Sequence, residues 1–161
     1  MLSVVGINGL GRAKRIAARR VQRLRSDSGV AAIEFAFLAP VLILLFAGIC
    51  EFSLVLSNYL TLAHAVEQGA RQLALSRGDS NPMTDAKSEL LGAAGNLTQS
   101  NINITYTVNG TACNSNPTCS AALQAGVPST VSATYPCNLV VFGKDYLPGC
   151  TLTAATTERV E

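Results

Sequence analysis

The sequence is poor in charged residues and lacks them altogether in one long segment. Only 14% of its 161 residues are charged and 48% are hydrophobic, a balance that is unusual for a soluble globular protein. The sixteen residues Phe35–Cys50 carry no charge. The single histidine, His64, has no serine nucleophile or acidic partner beside it and is expected to be solvated. Motifs for a catalytic nucleophile, a phosphate loop or a metal site are missing, so we expect neither enzyme activity nor a cofactor.

The few charges are divided unevenly along the chain. Residues 1–29 hold seven basic residues and one acid, which gives +6, although the whole chain carries only +2. A basic segment directly before an apolar run is typical of a membrane protein whose N-terminus stays in the cytoplasm. A nucleic-acid-binding arm is the competing interpretation of such a run. Because an apolar segment follows directly, we interpret the basic run as the signal that orients the chain in the membrane. No nucleic-acid partner is therefore expected.

The apolar run predicts a membrane-spanning helix. From Val30 to Leu56 the stretch is interrupted only by Glu34 and Glu51. At ~1.5 Å per residue it reaches about 40 Å, which exceeds the ~30 Å hydrocarbon core of a bilayer. A cleaved secretory signal would have a shorter apolar core and an A-x-A-like site after it, and neither is present. Membrane lipid is therefore an expected partner.

Helical periodicity continues beyond the predicted span. Apolar residues recur at three- and four-residue steps up to Ala74, and Gly78 is a natural residue to follow a helix end. These signals predict one helix from Val30 to Arg77, whose second half must bury its apolar face. The residues assigned to that face are Leu56, Tyr59, Leu62, Ala63, Val66, Ala70, Leu73 and Ala74.

A small α+β domain is predicted to cover this face. Asn81-Pro82 begins a short helix that ends near Gly95, since proline suits the first helical turn. The strictly alternating segment 101–108 predicts a strand followed by an Asn109-Gly110 turn. Further strands are predicted at Thr130–Tyr135, Leu139–Phe142 and Thr151–Thr157. The fold class is thus α+β, with a long N-terminal transmembrane and amphipathic helix followed by a small disulfide-stabilised antiparallel β domain.

Four of the five cysteines lie in the C-terminal third of the chain. An even number of cysteines in a small exported domain indicates two disulfides, and three pairings are open. We prefer the nearest pairs, Cys113 with Cys119 and Cys137 with Cys150. Metal ligation is less favoured, because five residues separate the first pair and no histidine is near. Cys50 stands apart in the apolar segment and is interpreted as a packed or lipid-facing thiol.

The start of the apolar run carries the most informative group of residues. A carboxylate in a hydrophobic segment, here that of Glu34, is costly unless it meets a positive charge. Cleavage after Gly29 would create a cationic amine at Val30, and this amine could neutralise Glu34 of a neighbouring subunit. The alternative is that Glu34 only sits at the membrane interface and reaches back to the headgroups. Taken alone, the motif leaves both interpretations open.

The wider segment resembles the TadE-like family of tight-adherence (Flp-type) pilus proteins over about fifty residues. The family pattern of a basic leader, a glycine before a Glu-Phe pair, a proline, a second Glu-Phe pair and an Ala-Arg ending is present. Beyond Gly78 there is no resemblance. The matching positions are Gly29, Glu34-Phe35, Pro40, Gly48, Glu51-Phe52 and Gly69-Ala70-Arg71.

The resemblance implies a pseudopilin or minor pilin that takes part in pilus biogenesis. It implies cleavage between Gly29 and Val30 by a prepilin peptidase, and assembly roles for Glu34, Phe35 and Glu51. Water exposure at the membrane boundary explains Glu51 about equally well. The partners implied are the peptidase, other pilin or pseudopilin subunits and inner-membrane pilus assembly proteins.

Together these signals predict four segments. They are a basic cytoplasmic leader (1–29), a transmembrane helix (30–57), an amphipathic extension (58–78) and an extracytoplasmic α+β domain (79–161). The expected location is the bacterial inner membrane, single-pass, with the C-terminal domain in the periplasm, or the extracellular pilus after assembly. The alternative function is a permanent single-pass anchor that presents a domain for binding a partner or surface.

Overall fold

The computed structural model describes residues 9–141 and 143–161, with side chains described from Gly29 onward except that of Val141. One long helix, α1 (Gly9–Leu75), precedes a small antiparallel sheet, so the predicted α+β class is confirmed. The chain forms two compact units, one ending at Ala47 and the other spanning Gly48–Glu161. The sheet and its disulfides belong to the second unit.

Helix α1 is longer than predicted at its N-terminus and slightly shorter at its C-terminus. The predicted start at Val30 is wrong, because the helix already runs from Gly9. Arginine, alanine and leucine dominate the stretch before Gly29, and these residues are strong helix formers. Residues 1–8 of the predicted leader, and the side chains of its basic residues, lie outside the described part.

The C-terminus of α1 is fixed by hydrogen bonds to its last carbonyls. The Ser76 N–H donates to the Leu73 carbonyl at 3.2 Å, and the Ser76 hydroxyl donates to the Gln72 carbonyl at 2.7 Å. The N–H of Glu161 donates to the Ala74 carbonyl at 3.3 Å. Carbonyls in the last helical turn have no partner within the helix, so such bonds explain why it ends at Leu75 rather than Arg77.

The second unit continues from α1 with short elements. In chain order they are α2 (Pro82–Ala93), a 3-10 turn (Gln99–Asn101), β1 (Asn103–Val108), β2 (Thr111–Cys113), α3 (Asn116–Ala122), β3 (Pro128–Pro136), β4 (Val140–Val141), β5 (Lys144–Asp145) and β6 (Thr151–Arg159).

The predicted helix at Asn81-Pro82 and the predicted strands are confirmed, with longer bounds for β3 and β6. The strand predicted over 101–108 begins only at Asn103, because Gln99–Asn101 forms a 3-10 turn. The predicted strand Leu139–Phe142 is reduced to β4, and Phe142 lies outside the described residues. The Asn109-Gly110 turn is also confirmed. Both residues have positive φ angles, 50° and 76°, as a two-residue β-hairpin turn requires.

Four strands form the main sheet in the order β2-β1-β3-β6, with all neighbours antiparallel. Tyr106 lies opposite Val131, and Ala133 lies opposite Ala154, so these side chains share one face. That face is buried. The other face carries mainly threonine, serine and asparagine and is open or half-buried, so the sheet has one core side.

The core joins this face to the helices. Leu62, Val66, Ala70 and Leu73 of α1 belong to the same buried cluster as Leu90 of α2 and the inner strand residues. The predicted disulfides are confirmed. Cys113 pairs with Cys119 and Cys137 pairs with Cys150, with Cα–Cα distances of 5.1 Å and 5.2 Å.

Candidate membrane and assembly segment

The first half of the described α1 presents an apolar surface that only Glu34 and Glu51 interrupt. Phe35, Phe37 and Phe46 are 65%, 78% and 69% exposed. Within Gly29–Leu75, the 18 residues that are apolar enough to cross a membrane include none that is buried inside the protein. Leaving a large apolar side chain in water rather than burying it costs about 1.5–3 kcal/mol. This surface therefore requires lipid or protein around it.

By length and composition, this is the one helix within the described residues that could cross a membrane. The finding fits a membrane-anchored protein. The helix continues without interruption through Pro40, as transmembrane helices tolerate when neighbouring groups satisfy the freed carbonyl.

The proposed cut site is exposed and helical. Gly29 lies inside α1, and a side-chain carbon placed on it would meet nothing within 4 Å. Val30 is 56% exposed. A protease must hold its substrate in an extended form, so cleavage here requires local unwinding of α1. Neither residue is buried among the described residues.

The acidic residues of α1 lie in different surroundings. Glu34 is exposed and sits four residues after Val30, so the two lie about one helical turn apart on one side of the helix. Phe35 is exposed beside it. Glu51 is half-buried. Pairing of Glu34 with an amine at Val30 of another copy remains a prediction, as do the roles of Phe35 and Glu51.

The second half of α1 is held by the folded domain. Six of the residues assigned to its apolar face are buried or half-buried, but Leu56 and Tyr59 are 46% and 41% exposed. Assigning those two to the buried face was wrong, because the packed domain begins only near Leu62. Ala65, which is fully buried, was missed.

Helix α2 approaches the backbone of α1 closely at Gly69. A side-chain carbon on Gly69 would lie 3.0 Å from Cβ of Leu90 and 3.2 Å from the carbonyl oxygen of Ala86. Helix α2 therefore crosses α1 where α1 has no side chain. This contact fixes the domain to the C-terminal half of α1.

One polar region of the domain, the recess beside Tyr106, was not singled out by the sequence. Burial raises the pKa of Tyr106 to about 12, and its buried hydroxyl has no hydrogen-bond partner among the described residues. Tyr106 borders a recess of about 610 Å³ whose rim includes Lys87 and Asn114. The remaining lining residues are Met83, Thr84, Ile102, Asn103, Ile104, Ser115 and Asn116.

Within residues 9–141 and 143–161, no group of three or more His, Cys, Asp or Glu side chains is placed to hold a metal ion. Cys50 is exposed on the apolar helix, which agrees with a lipid-facing thiol rather than a packed one. His64 is exposed, as expected.

Comparisons with known proteins locate the informative part of the chain. No curated protein and no solved structure matches it. The matched family, described as TadE-like protein, covers residues 29–71. This range begins at the proposed cut site and ends at the predicted Ala-Arg position. The predicted resemblance is thereby confirmed: over Gly29–Arg71 the chain matches the TadE-like proteins, a family related to the tight-adherence pilus.

Proposed function

We propose that the chain is a pseudopilin or minor pilin that takes part in biogenesis of a tight-adherence (Flp-type) pilus. The observation that carries the proposal is that the family match and the exposed apolar segment of α1 occupy the same residues. The residues that match the TadE-like proteins include the exposed apolar side chains from Val30 to Leu60 of α1, the glycine of the proposed cut site and Glu34. A subunit that moves from a membrane into a protein assembly needs these features together.

The apolar surface has two successive environments in this proposal. Before assembly, α1 spans the bacterial inner membrane with the basic leader in the cytoplasm and the sheet domain in the periplasm. Removal of residues 1–29 by a prepilin peptidase frees the amine of Val30. The exposed apolar side chains then exchange lipid contacts for contacts with α1 of other subunits.

Glu34 makes the contact between subunits specific for chains that have been cleaved. An ionised carboxylate is costly among apolar helices unless it is paired. The Val30 amine of a neighbouring subunit supplies the pair, and it exists only after cleavage. Cleavage therefore licenses assembly. Phe35 and Glu51 lie on the contact surface, and other pilins and inner-membrane assembly proteins are the partners. The chain itself acts as a structural subunit and not as an enzyme.

The first test is the N-terminus of the mature protein. Mass spectrometry of the protein from membranes and from sheared pili is expected to find Val30 as the first residue. The matched variant is Gly29→Ala, whose added methyl group meets no neighbour, so the helix stays intact. This variant should keep Met1 if the peptidase requires glycine. Intact Met1 in assembled wild-type protein would overturn the proposal.

The second test separates the Glu34 pairing from membrane insertion. Glu34→Ala should insert into membranes like the wild type but be depleted from pili. Glu67→Ala is the matched control, because Glu67 is an exposed glutamate on the same helix outside the apolar surface. Normal incorporation of the Glu34→Ala protein into pili would contradict the pairing. It would support the alternative that Glu34 only lies at the membrane surface, close to the lipid headgroups.

A permanent membrane anchor is the second candidate function. It is favoured by the continuity of α1 from Gly9 through Gly29, which means that the uncut chain already forms a regular helix. In that case the sheet domain would bind a partner or surface. The same mass measurement decides, because a permanent anchor retains Met1 in every fraction.

A further inference from the structure

The strand β6 lies at one edge of the main sheet, and no strand among the described residues pairs with its outer side. Helix α1 borders this edge only near Glu158 and Arg159, where the Ala74 carbonyl accepts the Glu161 N–H. It is nine residues long and pairs with β3 on one side only. The Val160 N–H donates to the Val127 carbonyl at 3.0 Å, and the Cys137 N–H donates to the Cys150 carbonyl at 3.1 Å. Cys150 and Val160 are the even-numbered residues that flank β6. Their backbone groups therefore point toward β3 and its continuation.

Alternation fixes the direction of the remaining backbone groups. In an antiparallel strand, successive residues direct their N–H and C=O groups to opposite sides. The odd-numbered residues of β6 thus direct theirs away from the sheet. No backbone hydrogen bond to any of these groups is found among the described residues. The residues concerned are Thr151, Thr153, Ala155, Thr157 and Arg159.

Among the described residues, the edge from Thr151 to Thr157 lacks the usual protection against strand pairing. Native edge strands are blocked by proline, inward-pointing charge, a bulge or a covering segment. The register of β6 with β3 is continuous over all nine residues, and β6 contains no proline. Its charges, Glu158 and Arg159, lie at one end only. The central residues are threonine and alanine, and the threonines suit a strand.

We propose that β6 pairs with β6 of a second copy of this chain, antiparallel and about a two-fold axis at Ala155. In this register each outward-facing residue meets an outward-facing partner. Thr153 lies opposite Thr157, and Thr151 lies opposite Arg159. About ten backbone hydrogen bonds then join two four-stranded sheets into one.

Charge selects this arrangement over a parallel one. Parallel pairing in register would bring the two Glu158 side chains, and the two Arg159 side chains, next to each other. Like charges directly opposite destabilise a sheet. Antiparallel pairing places the charged ends about 27 Å apart, at ~3.4 Å per residue, which is well beyond the Debye length at physiological salt.

The opposite edge of the sheet does not offer an equivalent partner. There β2 is only three residues long and pairs with Tyr106–Val108. Pairing of β6 with β2 of the next copy would leave most of the β6 edge unused. The long edges therefore favour a closed pair of chains over an open row. The β6–β6 contact buries little surface. We therefore expect the pair to form only when both chains are held in the same membrane, which raises their local concentration.

Cysteine cross-linking of the full chain in membranes tests the pairing. The background carries Cys50→Ala, because Cys50 is a free and exposed thiol. Ala155→Cys places two thiols on the axis, where Cα atoms of a hydrogen-bonded pair are about 5.5 Å apart, within disulfide range. Thr151→Cys is the matched control, since its two copies are about 27 Å apart in this register. Mild oxidation should give about ten-fold more cross-linked dimer with Ala155→Cys, because only that geometry can close a disulfide.

A second variant guards against chance collisions. Thr153→Cys and Thr157→Cys chains, carrying different tags, should cross-link to each other and not to themselves. Adding Ala155→Pro should abolish this product and leave the fold intact, because that N–H faces away from β3 and proline is tolerated at such edge positions.

Three results would overturn the proposal. One is equal cross-linking of Ala155→Cys and Thr151→Cys. Another is an Ala155→Cys thiol that reacts freely with maleimide in membranes yet gives no dimer. The third is a thiol shielded from maleimide without dimer formation, which would assign the edge to a different protein. Each of these results can be told apart from a failure of the proposed function, because cleavage after Gly29 is measured separately at the N-terminus of the chain.

Discussion

The contact between α1 and α2 at Gly69 allows a prediction whose sign is set by geometry. Replacing Gly69 with alanine raises helix propensity by about 1 kcal/mol. The added methyl carbon would lie 3.0 Å from Cβ of Leu90 and 3.2 Å from the Ala86 carbonyl oxygen. Neither atom is the far end of a flexible side chain, so α2 must shift as a body. Overpacking of this kind costs about 1–3 kcal/mol.

The overpacking cost exceeds the propensity gain, so Gly69→Ala should lower the free energy of unfolding by about 1 kcal/mol. The matched control is Gly92→Ala in α2. A methyl group there meets nothing within 4 Å, and its position near the helix end limits the gain to at most about 1 kcal/mol. The two variants carry the same chemical change, and their expected effects on stability have opposite signs.

Hydrogen exchange of the full chain in detergent micelles measures both effects. Amides of β3 report the global opening of the domain, because this strand lies between β1 and β6 in the sheet. Exchange of these amides should be faster in Gly69→Ala and unchanged or slower in Gly92→Ala. Equal stabilisation by both substitutions would show that α1 and α2 are not in close contact at Gly69.

Two further predictions concern the disulfides and the buried tyrosine. Replacing Cys137 and Cys150 with serine should cost about 3 kcal/mol, and replacing Cys113 and Cys119 about 2 kcal/mol, because the closed loops span 13 and 6 residues. Denaturant titration of the two double variants gives the order, and the reverse order would contradict the loop-entropy argument. For Tyr106, the pKa is raised from 10.0 to about 12 by burial. The folded state therefore holds this proton more tightly, and the stability it contributes is complete below pH 10 and is lost as pH rises toward 12. Tyr106→Phe should remove this part of the alkaline decline and leave stability at pH 7 unchanged or slightly higher, since the hydroxyl has no partner. Parallel alkaline denaturation curves of the two proteins would refute the assignment.

Much of the fold follows from local signals in the sequence. The alternation of Ile104, Tyr106 and Val108 gave the strand face, and Asn109-Gly110 gave the turn, because each depends on the properties of its own residues. Close spacing sufficed to predict the disulfide pairs. The apolar run and its glycine were likewise readable, since a membrane span needs only length and composition.

The parts that were missed depend on residues distant in sequence. The N-terminus of α2 is capped from elsewhere: Oδ1 of Asn116 accepts the Met83 N–H at 2.9 Å. Helix α3 itself was not predicted, because a seven-residue helix has too few turns for a periodic signal. The early start of α1 was missed for another reason. The predicted start was placed where the apolar run begins, but the residues before it also favour a helix, so α1 begins earlier.

The last residues of the domain have a consequence for how it is made. Val160 is buried, β6 completes the sheet, and the Glu161 N–H binds the end of a helix formed some ninety residues earlier. Contacts of such sequence separation slow folding and cannot form until the later segment exists. The domain therefore cannot reach its native core while residue 160 is still to be synthesised. Up to that moment the apolar face of α1 must be kept from other surfaces, so the domain folds only after β6 has been made.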